Sequence, residues 1–336
     1  MKRFLTATSS PFKFASSLSP FITKPPILLQ VDNGSINQND LMQLFNHEVT
    51  AIQIKEFYPF QAAKELGKEL AEMARNGHAD NWKVVTSDRG LETSDVWTMG
   101  DYIPYNVAVA TNQIDAYFQG VQQDLKRRRR KRLSLSMISD ASSEDNNYDV
   151  TDDDKNHKSK EIPMLWPLDQ VRLELDEIWA HGATLARDKA SGRVMGGGLP
   201  RIMFGPTRWK KGFIHADQYA PLSTANGLFS ANIYLQLPKR EDKGELHIWP
   251  LDIRSDLDWY SNQDLLKGMT VQDASSQVKL RKSLGDPLIV SVSPGDLVLF
   301  CVQRPHAAVG FQHGTRVSLQ AFIQYHGSDK RLFIDI

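Results

Sequence analysis

From residue 199 to residue 325 the chain is written in short alternating runs: 201–204, 213–217, 228–237, 244–249, 288–293, 296–302 and 316–325. Glycine, proline and aspartate stand between them. Alternation with period two sends successive side chains to opposite faces of a strand. Strands this short, spaced by turn residues, close into a sandwich or a barrel. No internal repeat is visible, so the C-terminal half is one irregular β unit.

The rest of the chain reads differently. Residues 50–58 alternate like a strand and lead to Pro59, which suits the first turn of a helix. Ala63, Leu66, Leu70, Met73 and Ala74 then recur at helical steps, and Gly77 is placed to stop the helix. A second helix is expected over 168–190, with Val171, Leu175, Ile178 and Trp179 on one face. Residues 1–26 hold Lys2, Arg3, Lys13 and Lys24, many serines and no acid. This suits either a mitochondrial or plastid transit peptide on an otherwise cytoplasmic protein, or a plain N-terminal extension. Residues 126–160 open with the cations Lys126–Arg132 and continue with Glu144, Asp145, Asp149 and Asp152–Asp154. Without apolar periodicity, the segment is expected to be a disordered insertion. It reads as a self-neutralising solvated loop. Its other readings are an import signal, an anion-binding patch, or a regulatory site at which a kinase acts on Ser134 or a partner docks. The remaining single domain is thus 27–125 plus 161–336.

Composition removes several function classes. The chain of 336 residues has 40 basic and 40 acidic side chains, which gives no chain-wide drive toward nucleic acid. The longest apolar runs, such as 296–302, are far shorter than the ~20 residues of a membrane span. The single cysteine, Cys301, excludes an internal disulfide and any cysteine-ligated metal cluster. A metal would be held by His, Asp or Glu.

One constellation has the right donors. His215 and Asp217, in Phe213-Ile-His-Ala-Asp-Gln218, share a face of an extended strand. Asp217 lies 89 residues before His306, and Arg316-Val-Ser318 follows His306 by ten. Two neutral imidazoles and one carboxylate on one face of an octahedron leave three positions open. That suits Fe(II) engaging both a chelating keto acid, 2-oxoglutarate, and O2. The distal carboxylate of the keto acid needs a buried cation, for which Arg316 offers a planar bidentate fork and Ser318 a supporting donor. Asn232, on the polar face of the strand 230–237, is a further candidate for holding 2-oxoglutarate. His78-Ala79-Asp80 repeats the short motif but follows a helix and a glycine, and reads as a loop coincidence. His313 falls in a turn, and His247 and His181 read as structural. Trp97, Tyr102, Tyr105, Arg208 and Trp209 stand where they could touch a substrate. Gly196-Gly-Gly198 reads as a flexible turn.

The pattern His215-x-Asp217, His306, Arg316-x-Ser318 resembles the Fe(II)/2-oxoglutarate-dependent oxygenases. The stretches Gly244–Trp249, Ser293–Phe300 and Arg316–Phe322 further resemble the subgroup of carrier-independent aliphatic halogenases. The resemblance implies an α+β fold with a double-stranded β-helix (jelly-roll, cupin-like) core and flanking N-terminal helices. It implies iron ligation by His215, Asp217 and His306, with 2-oxoglutarate on Arg316, Ser318 and Asn232. Halogenases of this group carry Gly or Ala where Asp217 stands, leaving a position for chloride. Asp217 therefore implies oxidation, foremost hydroxylation, of an unactivated C–H of a small molecule, with 2-oxoglutarate decarboxylated to succinate. Two other readings stand beside it: a cupin-type metalloenzyme that does not use 2-oxoglutarate, and a non-catalytic regulatory protein that works through its charged insertion.

Overall fold

The computed structural model describes residues 25–32, 34–86, 90–99, 105–130, 133–135, 162–239, 244–270 and 272–335. The extension over 1–24, Tyr102 and the acidic half of the insertion lie outside them. The strands are β1 (Leu28–Val31), β2 (Ala51–Ile54), β3 (Asp80–Thr86), β4 (Gly90–Thr98), β5 (Leu133–Leu135), β6 (Ile162–Met164), β7 (Ala183–Leu185) and β8 (Leu199–Phe204). They continue as β9 (Gly227–Gln236), β10 (Leu246–Ile248), β11 (Leu288–Val290), β12 (Leu297–Cys301), β13 (His306–Ala308), β14 (Thr315–Tyr325) and β15 (Leu332–Asp335). The helices are α1 (Gln38–Phe45), α2 (Phe60–Arg75), α3 (Tyr105–Ala110), α4 (Ile114–Arg130), α5 (Pro167–Ile178), α6 (Asp256–Ser261), α7 (Gln263–Leu266) and α8 (Ala274–Leu284).

Among the described residues the large sheet runs β1-β2-β12-β9-β14-β8-β4-β3, with β15 on β14 and β7 on β15. A second sheet runs β11-β10-β13, and residue 215 joins its β13 end through a bridge to His306. The eight-segment core is therefore β8-β14-β9-β12 facing 215-β13-β10-β11, which is the strand order of a double-stranded β-helix jelly roll. The two layers meet through Tyr234, Val298 and Phe300 on one side and Leu246, Ile248 and Val290 on the other.

Alternation decides which side chains enter the barrel. Ile233, Leu235, Leu299, Val317 and Leu319 point away from the barrel and are covered by α1, α2 and α5. Their even-numbered β9 neighbours and Arg316 and Ser318 of β14 point between the sheets. A bulge in the β14–β9 ladder between Val317 and Ser318 locally re-aims this pair. In α2, Ala63, Leu66, Gly67, Leu70 and Ala74 are buried at helical spacing, each leucine contributing ~2 kcal/mol by burial. Gly67 is required by closeness: a Cβ there would meet the Leu235 carbonyl carbon at 2.9 Å.

Four expectations are corrected. The helix over 168–190 stops at Ile178 because Trp179 takes an extended conformation (ψ 123°) and Gly182 turns the chain with φ 71°. His181 is accordingly in a turn. The run 213–217 is no strand; a single bridge at His215 gives its sheet contact. The insertion does not begin at 126, since α4 continues to Arg130. Arg128 turns inward, pairs with Asp124 at 2.7 Å and donates to the Gly198 carbonyl at 2.6 Å. Gly196–Gly198 are buried, not a flexible turn: a Cβ at Gly198 would lie 2.6 Å from the Gln320 carbonyl oxygen.

Candidate metal centre

The bridge between residues 215 and 306 sets up the site. The His215 N–H donates to the His306 carbonyl at 3.0 Å, and the His306 N–H donates back at 2.9 Å. Residues exchanging both bonds in an antiparallel pair present their side chains on one face. The imidazole centroids are accordingly 4.4 Å apart. The Asp217 N–H donates to the Val302 carbonyl at 3.0 Å, which keeps 215 and 217 in extended chain on the same face. One ligand atom from each of His215, Asp217 and His306 lies within 4.8 Å of the others. The carboxylate oxygens of Asp217 are 3.7 Å from His215 Nε2 and 3.4 Å from His306 Nε2.

The outer atoms fix the inner ones. His215 Nδ1–H donates to the Phe213 carbonyl at 3.0 Å, and His306 Nδ1–H donates to the Arg304 carbonyl at 2.9 Å. A carbonyl only accepts, so each Nδ1 carries a proton and each Nε2 is the nitrogen turned toward Asp217. Arg304 is itself held by the Leu251 carbonyl at 3.0 Å and by Asp252 at 2.5 Å. Burial, with the charge of His306 second, lowers the His215 pKa to about 4, so the imidazole is neutral at pH 7. Burial works against the Asp217 carboxylate, yet the imidazoles and Arg201 together hold it well below the usual carboxylate range. The side chains of His215, Asp217 and His306 are 36%, 23% and 5% exposed, so solvent reaches the group from the His215 side.

That side opens into a cavity of about 840 Å³ whose wall includes His215, Asp217, Arg201, Met203, Trp209 and Tyr105. Arg316 is 6% exposed and stands behind Met203, not in the wall of the open cavity. Its Nη2 donates to the Tyr234 hydroxyl at 3.3 Å, and its Nη1 lies 4.0 Å from Met203 Sδ. Its Nε is buried without a partner, and among the described residues no carboxylate pairs with it. Ser318 lies opposite Tyr234 of β9 and opposite Arg201 of β8. Asn232 donates to the Ser230 hydroxyl at 2.8 Å. It belongs to a buried polar group with Ser230 and Gln320, likewise outside the open cavity wall.

The other candidates separate. Asp80 begins β3 and is not in the His/Asp group. His247 sits in β10, 3.4 Å from Glu245. Tyr105 lines the cavity and donates to Asp188 at 2.8 Å. Trp97 is on β4 and 38% exposed. Arg208 donates to Gln272 at 2.8 Å. Cys301 is buried, and that burial pushes its thiol up to about 11, so it is protonated. Sequence reasoning passed over Arg201 and Met203, while Tyr234 falls with Asn232 on the polar face of its strand. For Arg201 the signal was present: one charge in the otherwise apolar run Leu199–Phe204. Among the described residues no helix is long and apolar enough to cross a membrane.

No family model matches the chain, and no curated protein matches it. Among solved structures the chain is similar to a prolyl-4-hydroxylase from Pseudomonas putida at 13% identity, covering 85% of this chain and 100% of that one, with a TM-score of 0.34. It is similar to an N-substituted L-amino acid dioxygenase from Burkholderia ambifaria at 10% identity, covering 77% and 99%, with a TM-score of 0.40. It is also similar to an oxidoreductase of the 2OG-Fe(II) oxygenase family from Burkholderia pseudomallei at 11% identity, covering 91% and 99%, with a TM-score of 0.35.

Proposed function

We propose that the protein is an Fe(II)- and 2-oxoglutarate-dependent oxygenase that hydroxylates an unactivated C–H of a small molecule. The observation that carries this is the convergence of two Nε2 nitrogens and one carboxylate within 4.8 Å, with both Nδ1–H groups pinned by backbone carbonyls. Two neutral nitrogens and one anionic oxygen, open on one side, are the donor set of a facial ferrous site. His215, Asp217 and His306 would hold the metal. Arg316, with its unmet Nε, fits the distal carboxylate of 2-oxoglutarate, and the Tyr234 hydroxyl, which accepts from Arg316, has its own proton to give to the same anion. Ser318 stands on the same face, and Asn232 lies further along it.

The bound group supplies the oxidation: substrate, 2-oxoglutarate and O2 become hydroxylated substrate, succinate and CO2, one oxygen atom going to each organic product. The chain's own part is to keep His215 neutral by burial, to keep Asp217 ionised, and to limit water to one side of the site. A second reading, a jelly-roll metalloenzyme that does not use 2-oxoglutarate, has one observation in its favour: the open cavity stops short of Arg316. For a ligand to reach that guanidinium, the flexible Met203 side chain has to swing aside. Succinate release and O2 uptake with Fe(II) test the proposal. Wild type is expected to form succinate in step with O2 loss, and Asp217→Ala to lose at least 100-fold, in keeping with removal of a metal ligand. Unchanged turnover in the variant overturns the ligand assignment.

A further inference from the structure

The cavity is larger than a five-carbon keto acid needs; its volume of about 840 Å³ is in the range of sites that enclose a whole small molecule. Much of its wall is apolar and flat, supplied by Trp82, Trp209, Phe213, Met195 and Phe322. Its charges are mostly engaged. Asp95 accepts from the backbone N–H groups of Arg208 at 3.1 Å and Trp209 at 3.2 Å. Asp335 accepts from Gln324, and Asp217 belongs to the metal group.

Lys83 of the same wall is exposed to solvent; Arg201 is the half-buried exception. It is the one arginine in the cavity wall, and among the described residues no carboxylate or carbonyl accepts from it. Its Nε is buried without a partner. Its guanidinium carbon lies 3.7 Å from the centroid of the Trp82 ring, which holds the plane flat. Across the ladder its neighbours on the same face are Ser318 and Thr98, and the Thr98 hydroxyl is likewise buried without a partner. A buried N–H donor with no acceptor is costly until an acceptor meets it. The Asp217 carboxylate acts on Arg201 through its charge alone, and among the described residues no acceptor is hydrogen-bonded to the guanidinium.

We infer that Arg201 is the specificity-determining residue of the cavity and that the oxidised substrate carries a carboxylate on a flat apolar body, gripped by the Arg201 fork. A fixed guanidinium on β8, with the metal group at the cavity's inner wall, also selects which C–H is presented. This rests on the oxygenase reading for what happens to the substrate, but not for the binding of its carboxylate.

The test uses 2-naphthoate and its neutral isostere 2-naphthamide as probes. The protein is loaded with Mn(II) and saturating 2-oxoglutarate, and binding is followed by calorimetry and by paramagnetic relaxation of the probe protons. A charge-assisted fork is worth about a 10- to 100-fold preference for the acid. Wild type is expected to show that preference and to bring naphthoate protons within reach of Mn(II). Arg201→Gln is expected to abolish it, and Arg201→Lys to keep part of it, with 2-oxoglutarate affinity held within twofold and Mn(II) kept saturating for each variant. Equal binding of acid and amide by wild type overturns the inference without any variant being needed. So does a preference that survives in Arg201→Gln, or a loss in that variant that falls on 2-oxoglutarate instead of the probe. If wild type binds no Mn(II) yet still prefers naphthoate by calorimetry, the oxygenase reading falls and the Arg201 assignment stands.

Discussion

At the scale of single residues, a metal site depends on tautomers and unmet charges, and both can be tested separately from turnover. Arg316 is buried beside Tyr234 with no carboxylate partner among the described residues. Arg316→Met removes the cation but leaves a side chain suited to the thioether neighbourhood of Met203. It should weaken 2-oxoglutarate by about 10- to 100-fold, measured by calorimetry with Mn(II) in place. An unchanged dissociation constant would give the cosubstrate to another residue. The convergence of His215, Asp217 and His306 was legible in the sequence, as was the shared face of Arg316 and Ser318, because each lies in a short local pattern whose face follows from alternation. Arg201 stood out only as one charge in an apolar run, and nothing local says that β4 and β14 flank it or that Trp82 lies under it. Asn232 was placed on the right face, yet its amide is turned to Ser230, a detail set by its neighbours and not by its own strand.

At the scale of elements, the contact between α2 and β9 locks the outer face of the barrel. Gly67→Ala would gain about 1 kcal/mol of helix propensity. Its new Cβ would stand 2.9 Å from the Leu235 carbonyl carbon and 3.0 Å from its oxygen, and backbone cannot move aside as a side chain can. Overpacking of this kind costs about 1–3 kcal/mol, so the net expectation is a lower unfolding midpoint in a thermal melt. A raised midpoint would mean that α2 is not held this close. The strands β8, β9, β12 and β14 were visible in the sequence because alternation survives wherever one face meets helices and the other the barrel. The end of α5 was misplaced because an apolar stripe continues to Trp179, while the backbone turns there and at Gly182. The segment 213–217 has strand-like alternation with only one bridge, since its neighbour β13 is short.

At the scale of the whole molecule, the fold brings the end of α1, the stretch leading into β9 and the loop after β12 together around His47. This histidine is 7% exposed, has a ring nitrogen 3.2 Å from the Ser223 carbonyl and stacks on Phe229. Burial, then the charge of Arg304, lowers its pKa to about 4, partly offset by Asp252. A histidine lowered in the fold favours folding above its unfolded value near 6.5, and that contribution is lost as pH falls through 6.5 toward 4. His47→Asn keeps a residue that tolerates the φ of 59° found there. It should flatten the acid side of the stability curve between pH 6.5 and 4, by ~2–3 kcal/mol in denaturant melts; an unaltered slope would show that His47 is charged in the fold. No sequence pattern announced this cluster, whose members come from separate elements joined only by the finished topology. The central claim is that one ferrous ion and one molecule of 2-oxoglutarate share the site formed by His215, Asp217 and His306. Its most direct test is an anaerobic titration of the protein with Fe(II) and 2-oxoglutarate, followed in the visible range. The account predicts a charge-transfer band that saturates at one equivalent of each and is absent in His306→Ala, whereas Fe(II) binding with no such band would contradict it.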